Sequence, residues 1–179
     1  PEASFDEAQK RAQAFRPGEI FKFRAQWGFF RKAGNMTITT SKDENDNIVV
    51  NTETQSRGLI RKIYPMWLKA KTVLDPKKLR IITNIVTGKA RSEETESKTT
   101  FDYEKGVMVH NDTHKPGRNG TKKIPYPVPL DYASALLQMR SWDLAKGKSH
   151  PLLVSSKGKF YYIEMEVKEI EEIKTIDGD

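Results

Sequence analysis

The sequence predicts a mainly β protein. It reads as one large antiparallel curled sheet, a barrel or half-barrel, with an N-terminal helix and one short helix near 131–142. Three observations carry this reading. Apolar and polar residues alternate with a period of two through most of the chain. Clusters of Asp, Asn, Gly and Pro separate the alternating runs. Only two stretches have the spacing or composition of a helix.

The first of these is Ser4 to Phe15. Ser4 and Glu7 form a capping box, and Phe5, Ala8, Ala12 and Phe15 fall on one stripe. Pro17-Gly18 ends it. Phe21, Phe23, Ala25 and Trp27 then alternate with Lys22, Arg24 and Gln26, a strand apolar on one face. A second strand is expected over 33–40 and a third over Ile48 to Ser56, joined by the turn Asp43 to Asn47. Arg57 to Pro65 reads as a loop or one helical turn. Met66 to Leu74 alternates again, Asp75-Pro76 turns the chain, and strands follow over Leu79 to Thr87 and Lys98 to Tyr103. Glu104-Lys105-Gly106 makes a hairpin turn into Val107 to Asn111. Residues 112–129 hold Pro116, Pro125, Pro127 and Pro129 and are expected to be a long, exposed, mobile loop.

Asp131 is a good N-cap for a helix over Ala133 to Arg140, with Leu136 and Met139 expected to face the core. Leu152 to Ser155 and Phe160 to Ile170 form a last hairpin around Lys157-Gly158. About nine strands in one antiparallel sheet are too many to stay flat, so curling or splitting is expected, with the lone helix as plug or cover. One domain over 1–179 accommodates all of it.

The chain has 179 residues, 31 Lys and Arg, 24 Asp and Glu, no Cys, and 36% hydrophobic residues. No run approaches the roughly 18 apolar residues of a membrane-spanning helix. Without Cys there is no disulfide framework, thiolate zinc site or Cys nucleophile. The chain starts at Pro1 with no basic or apolar leader, so removal of a signal peptide or trimming is expected. Its end at Gly178-Asp179 suggests that a further strand follows. Three N-x-[ST] sequons, at Asn35, Asn111 and Asn119, are of the kind that short polar segments produce by chance.

Several short motifs occur in a telling order. Phe15-Arg16-Pro17-Gly18-Glu19 opens the first strand, followed by Trp27-Gly28 and Ala33-Gly34. Asp131-Tyr132-Ala133-Ser134-Ala135-Leu136-Leu137, then Leu144 to Gly147, then Lys157-Gly158-Lys159 complete the series. In this order the chain resembles the domain-of-unknown-function 3108 family of bacterial exported proteins, from about Phe15 to the C-terminus. The resemblance implies a barrel-like β fold and export to the periplasm or cell envelope. It implies no enzyme activity and supplies no catalytic residues. The basic, Pro-rich segment 115–129 is longer than the family pattern.

The candidate chemistry is sparse. His110-x-Asp112-x-His114 places two imidazoles and a carboxylate on one strand face, where they would converge on a metal as in a metal-dependent hydrolase. The competing reading is of solvated strand-end residues, since His114 falls where the strand should already be loop. Gly147-Lys148-Ser149 lacks the earlier Gly of a phosphate loop, because Trp142 stands there. Lys157 to Ile163 has alternating Phe160 and Tyr162, but Glu164 and Glu166 on the same face would repel an RNA backbone. Glu93-Glu94 and Glu171-Glu172 are exposed neighbours, with nothing to mark an acid and a base.

Two surface readings remain. Residues 57–80 contain eight basic residues against Asp75 alone, while 164–179 is acidic. Arg57, Arg61, Lys62, Lys69 and Lys71 are therefore candidates to bind an anion, such as a polysaccharide, nucleic acid or lipid headgroup. Trp27, Tyr64, Trp67, Phe101 and Tyr103, with Trp142, are candidates to line a concave apolar or glycan site. The expected function is a non-enzymatic envelope binding or assembly protein. Its expected partner is a lipid, a glycan or an envelope protein, with no cofactor. The anion-binding module and the hydrolase are its rivals.

Overall fold

The computed structural model describes residues 13–28 and 30–170. Its strands are β1 (Ile20–Trp27), β2 (Phe30–Lys42), β3 (Ile48–Ser56), β4 (Met66–Leu74), β5 (Ile81–Ala90), β6 (Glu93–Asp102), β7 (Val107–Asp112), β8 (Gly120–Lys123), β9 (Ser149–Ser156) and β10 (Lys159–Glu166). Two α-helices interrupt them, α1 (Gly58–Ile63) and α2 (Tyr132–Gln138). The N-terminal helix expected over Ser4 to Phe15 lies almost wholly outside the described residues. Ala14 and Phe15 form a turn and are buried.

Strands β1 to β8 make one antiparallel meander in sequence order, and β9 pairs with β10 in a separate two-stranded sheet. The large sheet is open, with no pairing between β1 and β8 and no strong curl, so neither the expected barrel nor the half-barrel forms. The reason lies in the last hairpin. Instead of extending the sheet, it stacks on α2, and the helix covers apolar surface that closure would have buried.

Cross-strand partners share a sheet face, so the register separates the two faces. The outer face carries Lys69 opposite Glu53 and Lys89 opposite Glu94, ion-paired at 3.0 and 3.2 Å. Both pairs are exposed and worth less than about 1 kcal/mol each. The inner face holds the core. Ile38, Ile48, Val50, Leu74, Ile81, Phe101 and Met108 pack with Ala14, Phe15, and Ala133 and Leu137 of α2. Each large side chain buried there contributes about 1.5–3 kcal/mol.

The helix also buries its opposite side. Ala135 packs with Leu130, Leu152 and Val154 in a second cluster, to which Trp142, Ile163 and Met165 add. This two-sided burial corrects the expected helix orientation: Leu137 is 2% exposed and Leu136 is 39% exposed. A helix held between two layers buries small residues on both sides rather than one Leu/Met stripe.

Two further differences concern loops. The segment expected to be a mobile loop contains a 3-10 turn (Pro116–Arg118) and the edge strand β8, which pairs Lys122 with Met108. Its polar sequence suits an exposed edge, where charged side chains discourage further pairing. Arg57 to Pro65 resolves as the single-turn option, α1, with Arg57 as N-cap and Arg61 and Lys62 in the last turn, where the helix dipole favours cations. Among the described residues, no helix is long and apolar enough to cross a membrane.

Candidate functional site

A register row crosses the middle of the inner face from Thr72 through Asn84 and Thr99 to His110. Polar residues occupy it on four successive strands. The Thr72 hydroxyl donates to the Asp131 carboxylate, and Asn84 Nδ2 donates to Thr72 Oγ1 at 2.8 Å and to Asp131 Oδ2 at 3.1 Å. The other Asp131 oxygen accepts the Ser134 amide at 2.7 Å, as an N-cap should. One buried carboxylate thus starts α2 and fastens it to β4 and β5. At the far end of the row, Thr99 Oγ1 and His110 Nδ1 are 2.8 Å apart.

This row is the boundary between two halves of the inner face. On one side lies the packed core. On the other the floor carries small or flexible residues, including Met36, Thr54, Leu68, Ala70 and Val86, and the space above them is not filled. The result is a cavity of about 520 Å³ bounded by strands β2 to β7, the start of α2 and the β9–β10 turn. Its floor mixes aliphatic side chains with hydroxyls, and Asn84, Thr99, His110 and Asp131 line its polar end. A second, more polar depression of about 560 Å³ lies between 13–16 and 140–143. It brings together Arg16, Arg140 and Asp143 with no buried polar group aimed into it, so the inner-face cavity is the stronger candidate.

Two lining residues present buried polar atoms that have no protein partner, His110 Nε2 and Thr52 Oγ1. An unmade hydrogen bond of this kind costs about 1–3 kcal/mol unless a ligand or water supplies the partner. Burial pushes the His110 pKa down; nearby Asp112 opposes this, while Arg118 and Lys122 add to it. The imidazole is therefore neutral at pH 7 and, with Nδ1 on the Thr99 hydroxyl, retains one free ring nitrogen.

The predicted residues are dispersed. Phe101 and Tyr64 line the cavity. Tyr103 stacks on Phe101 at 6.1 Å but packs against the core beneath, with Arg80 4.2 Å above its ring. Burial raises its hydroxyl pKa to about 12. Trp67 pairs with Gln55 and Lys89 on the outer face, away from the cavity, and the Trp27 side chain lies outside the described residues. Trp142 stacks on His150 at 4.6 Å in the second cluster.

The hydrolase motif does not converge either. Asp112 is buried, and its Oδ1 accepts the His114 and Lys115 amides at 3.1 and 2.8 Å. His114 turns toward Glu94, at 3.9 Å, while His110 faces the cavity. Among the described residues, no three His, Asp or Glu side chains are placed to share an ion.

Residues 22–179 match the model of a family described as "Protein of unknown function (DUF3108)". The chain belongs to this family. Neither the curated proteins nor the solved structures yield a match. The DUF3108 match begins within β1 and includes every strand that forms the cavity floor. Sequence reasoning missed Asn84, Thr99 and Asp131 as site residues of this DUF3108 chain. Asp131 was readable only as a helix cap; its partners Thr72 and Asn84 lie 59 and 47 positions away in sequence.

Proposed function

We propose that the protein is a non-enzymatic binding protein of the bacterial cell envelope whose inner-face cavity holds an amphipathic, lipid-like ligand. The observation that carries the reading is the cavity itself. Its floor alternates aliphatic side chains such as Leu68, Ala70 and Val86 with hydroxyls such as Thr52 and Thr54, and its polar end is lined by His110, whose buried Nε2 has no protein partner. A hydrocarbon chain suits the first feature and a polar head the second. The acids and bases lining the cavity are equal in number: Glu93, Asp112 and Asp131 against Lys115, Arg118 and Lys157. The site therefore does not demand a charged head. Export to the periplasm belongs to the same proposal and is tested by cell fractionation.

The ligand is tested by mass spectrometry of organic extracts from purified protein, together with titration of a dansyl-labelled fatty acid. Ala70→Phe places a bulky, strand-compatible side chain on the cavity floor. The variant is expected to keep the wild-type melting temperature and weaken probe binding by about tenfold or more. Equal probe binding by wild type and variant, with no co-purified amphiphile, would remove the reading.

A further inference from the structure

At one end of the large sheet, α1 joins β3 to β4 beside the start of β2 and the β5–β6 turn. The Arg57 amide donates to Ala33 O at 2.8 Å, a Cβ on Gly58 would lie 3.3 Å from Lys32 O, and the Arg91 amide donates to Pro65 O at 2.7 Å. These contacts gather five exposed basic residues on one rim: Lys32, Arg57, Arg61, Lys62 and Arg91. None of the five forms an ion pair among the described residues, and Arg91 lies 5.7 Å above the Tyr64 ring. The segments 27–42 and 54–74, which supply four of the five bases, contain no Asp or Glu, while Glu93 and Glu94 follow Arg91. The closest acids, Glu53, Glu93 and Glu94, are paired with Lys69, Lys115 and Lys89.

Large apolar side chains stand exposed among these bases. Leu59 is 52% exposed, Ile63 59%, Tyr64 40% and Trp67 49%. Ile60, the buried residue of α1, anchors the helix. The remaining basic residues of 57–80 do not share this setting. Lys69 and Lys71 lie on the outer face of β4, and Lys77 and Lys78 lie in the turn at its opposite end, about 30 Å along the strand. The basic excess is thus dispersed; Lys71 faces the marginally exposed Ile85 across the strands, whereas at the α1 rim several bases stand among more exposed apolar groups.

We infer that the α1 rim docks the protein on the surface of an anionic lipid bilayer, with Leu59 and Ile63 entering the interface and Arg57, Arg61 and Lys62 on the headgroups. A nucleic acid or polysaccharide rewards the charges alone and leaves the aliphatic tips in water. A bilayer interface rewards both, as for amphipathic anchors. Tyr64 belongs to the rim and also lines the cavity, so docking brings the Tyr64 side of the cavity to the membrane. The inference rests on exposed residues and does not require the cavity to be occupied.

The test is flotation of the whole chain with phosphatidylcholine vesicles and with vesicles that also contain phosphatidylglycerol. Binding to the anionic vesicles is expected, weaker by about tenfold or more on neutral vesicles or in high salt. The pairs Arg61→Glu with Lys62→Glu, and Leu59→Ser with Ile63→Ser, are each expected to lower binding by about tenfold or more. Lys77→Glu with Lys78→Glu makes the same change in net charge far from the rim and is expected to stay within about threefold of wild type. Circular dichroism and melting temperature establish that each variant is folded. The inference is overturned by absence of vesicle binding, by an equal loss in the Lys77/Lys78 variant, by full binding in the Leu59/Ile63 variant, or by tighter binding to heparin or DNA. Ala70→Phe separates this inference from the cavity reading, because it is expected to lose the fatty-acid probe and keep vesicle binding.

Discussion

The His110 imidazole lies directly against the backbone of Gly158. A Cβ on Gly158 would stand 2.7 Å from the ring Cδ2 and 2.9 Å from Cγ. The β9–β10 turn, with Lys157 and Gly158 at φ +50° and +70°, is therefore the roof over the polar end of the cavity. Lys122 holds it there by donating to Gly158 O at 2.7 Å.

This contact makes Gly158→Ala more costly than its backbone alone requires. A left-handed Ala costs about 1–2 kcal/mol, and the ring contact adds overpacking of about 1–3 kcal/mol. Gly106 has a similar φ of +66° with no atom within 4 Å of its added Cβ, so Gly106→Ala is the matched control. Urea denaturation should show Gly158→Ala less stable than Gly106→Ala. Equal losses would mean that the turn does not pack on His110.

The stability of the protein should fall as pH drops below the ordinary His value of about 6.5. His110 has a depressed folded pKa, chiefly through burial. Between the unfolded and folded values the unfolded chain binds the extra proton, so acid favours unfolding there. His110→Gln should flatten the denaturation midpoint over that window. An unchanged pH profile in the variant would argue against a buried neutral imidazole.

Asp131→Ala should destabilise the protein by about 2–4 kcal/mol. About 1 kcal/mol is the lost N-cap on Ser134, and the remainder is the cost of leaving the buried Thr72 hydroxyl without an acceptor and Asn84 with Thr72 Oγ1 as its one remaining acceptor of the two. Asp131→Asn retains an acceptor and should cost less. A loss under about 1 kcal/mol for Asp131→Ala would show that the carboxylate acts as a cap alone.

Arg140 forms a two-pronged pair with Glu19, Nη1 donating to Oε2 at 2.8 Å and Nη2 to Oε1 at 2.9 Å. The Arg140 hydrogen bond holds the Glu19 carboxyl below its usual range. With a lowered folded pKa, the pair stabilises above the unfolded Glu value and fades as pH falls through the folded one. A double-mutant cycle of Glu19→Gln and Arg140→Gln should give at most about 1 kcal/mol, since both side chains are partly exposed. A larger coupling would make this pair a principal tie between the residue that precedes β1 and the segment after α2.

Local order was legible wherever one residue's neighbours in sequence decide its environment. The Asp43 turn and the Asp131 cap appear as read, whereas the alternation of β1 does not become half-burial, because Phe23 and Ala25 are exposed and, among the described residues, Phe21 alone of that face packs on the core. Leu136 was misassigned because α2 is buried from two sides, and no single-stripe pattern encodes that. Strand β8 was missed because four exposed residues, Gly120–Lys123, show no apolar alternation. The metal motif at His110, Asp112 and His114 dissolved because Asp112 spends its carboxylate on the next turn of the chain.

By itself the sequence determined a mainly β chain, its family, the order of its strands and turns apart from β8, and a basic excess concentrated in 57–80. These follow from period-two patterning and turn chemistry, which act over a few residues. Only the tertiary structure decided that the sheet stays open, that Thr72, Asn84, Thr99 and His110 line up across four strands, that Leu59 and Ile63 stand exposed, and that Arg91 lies over Tyr64. Each depends on register and layer stacking between residues far apart in sequence, where burial of the whole inner face, rather than any local preference, selects the arrangement.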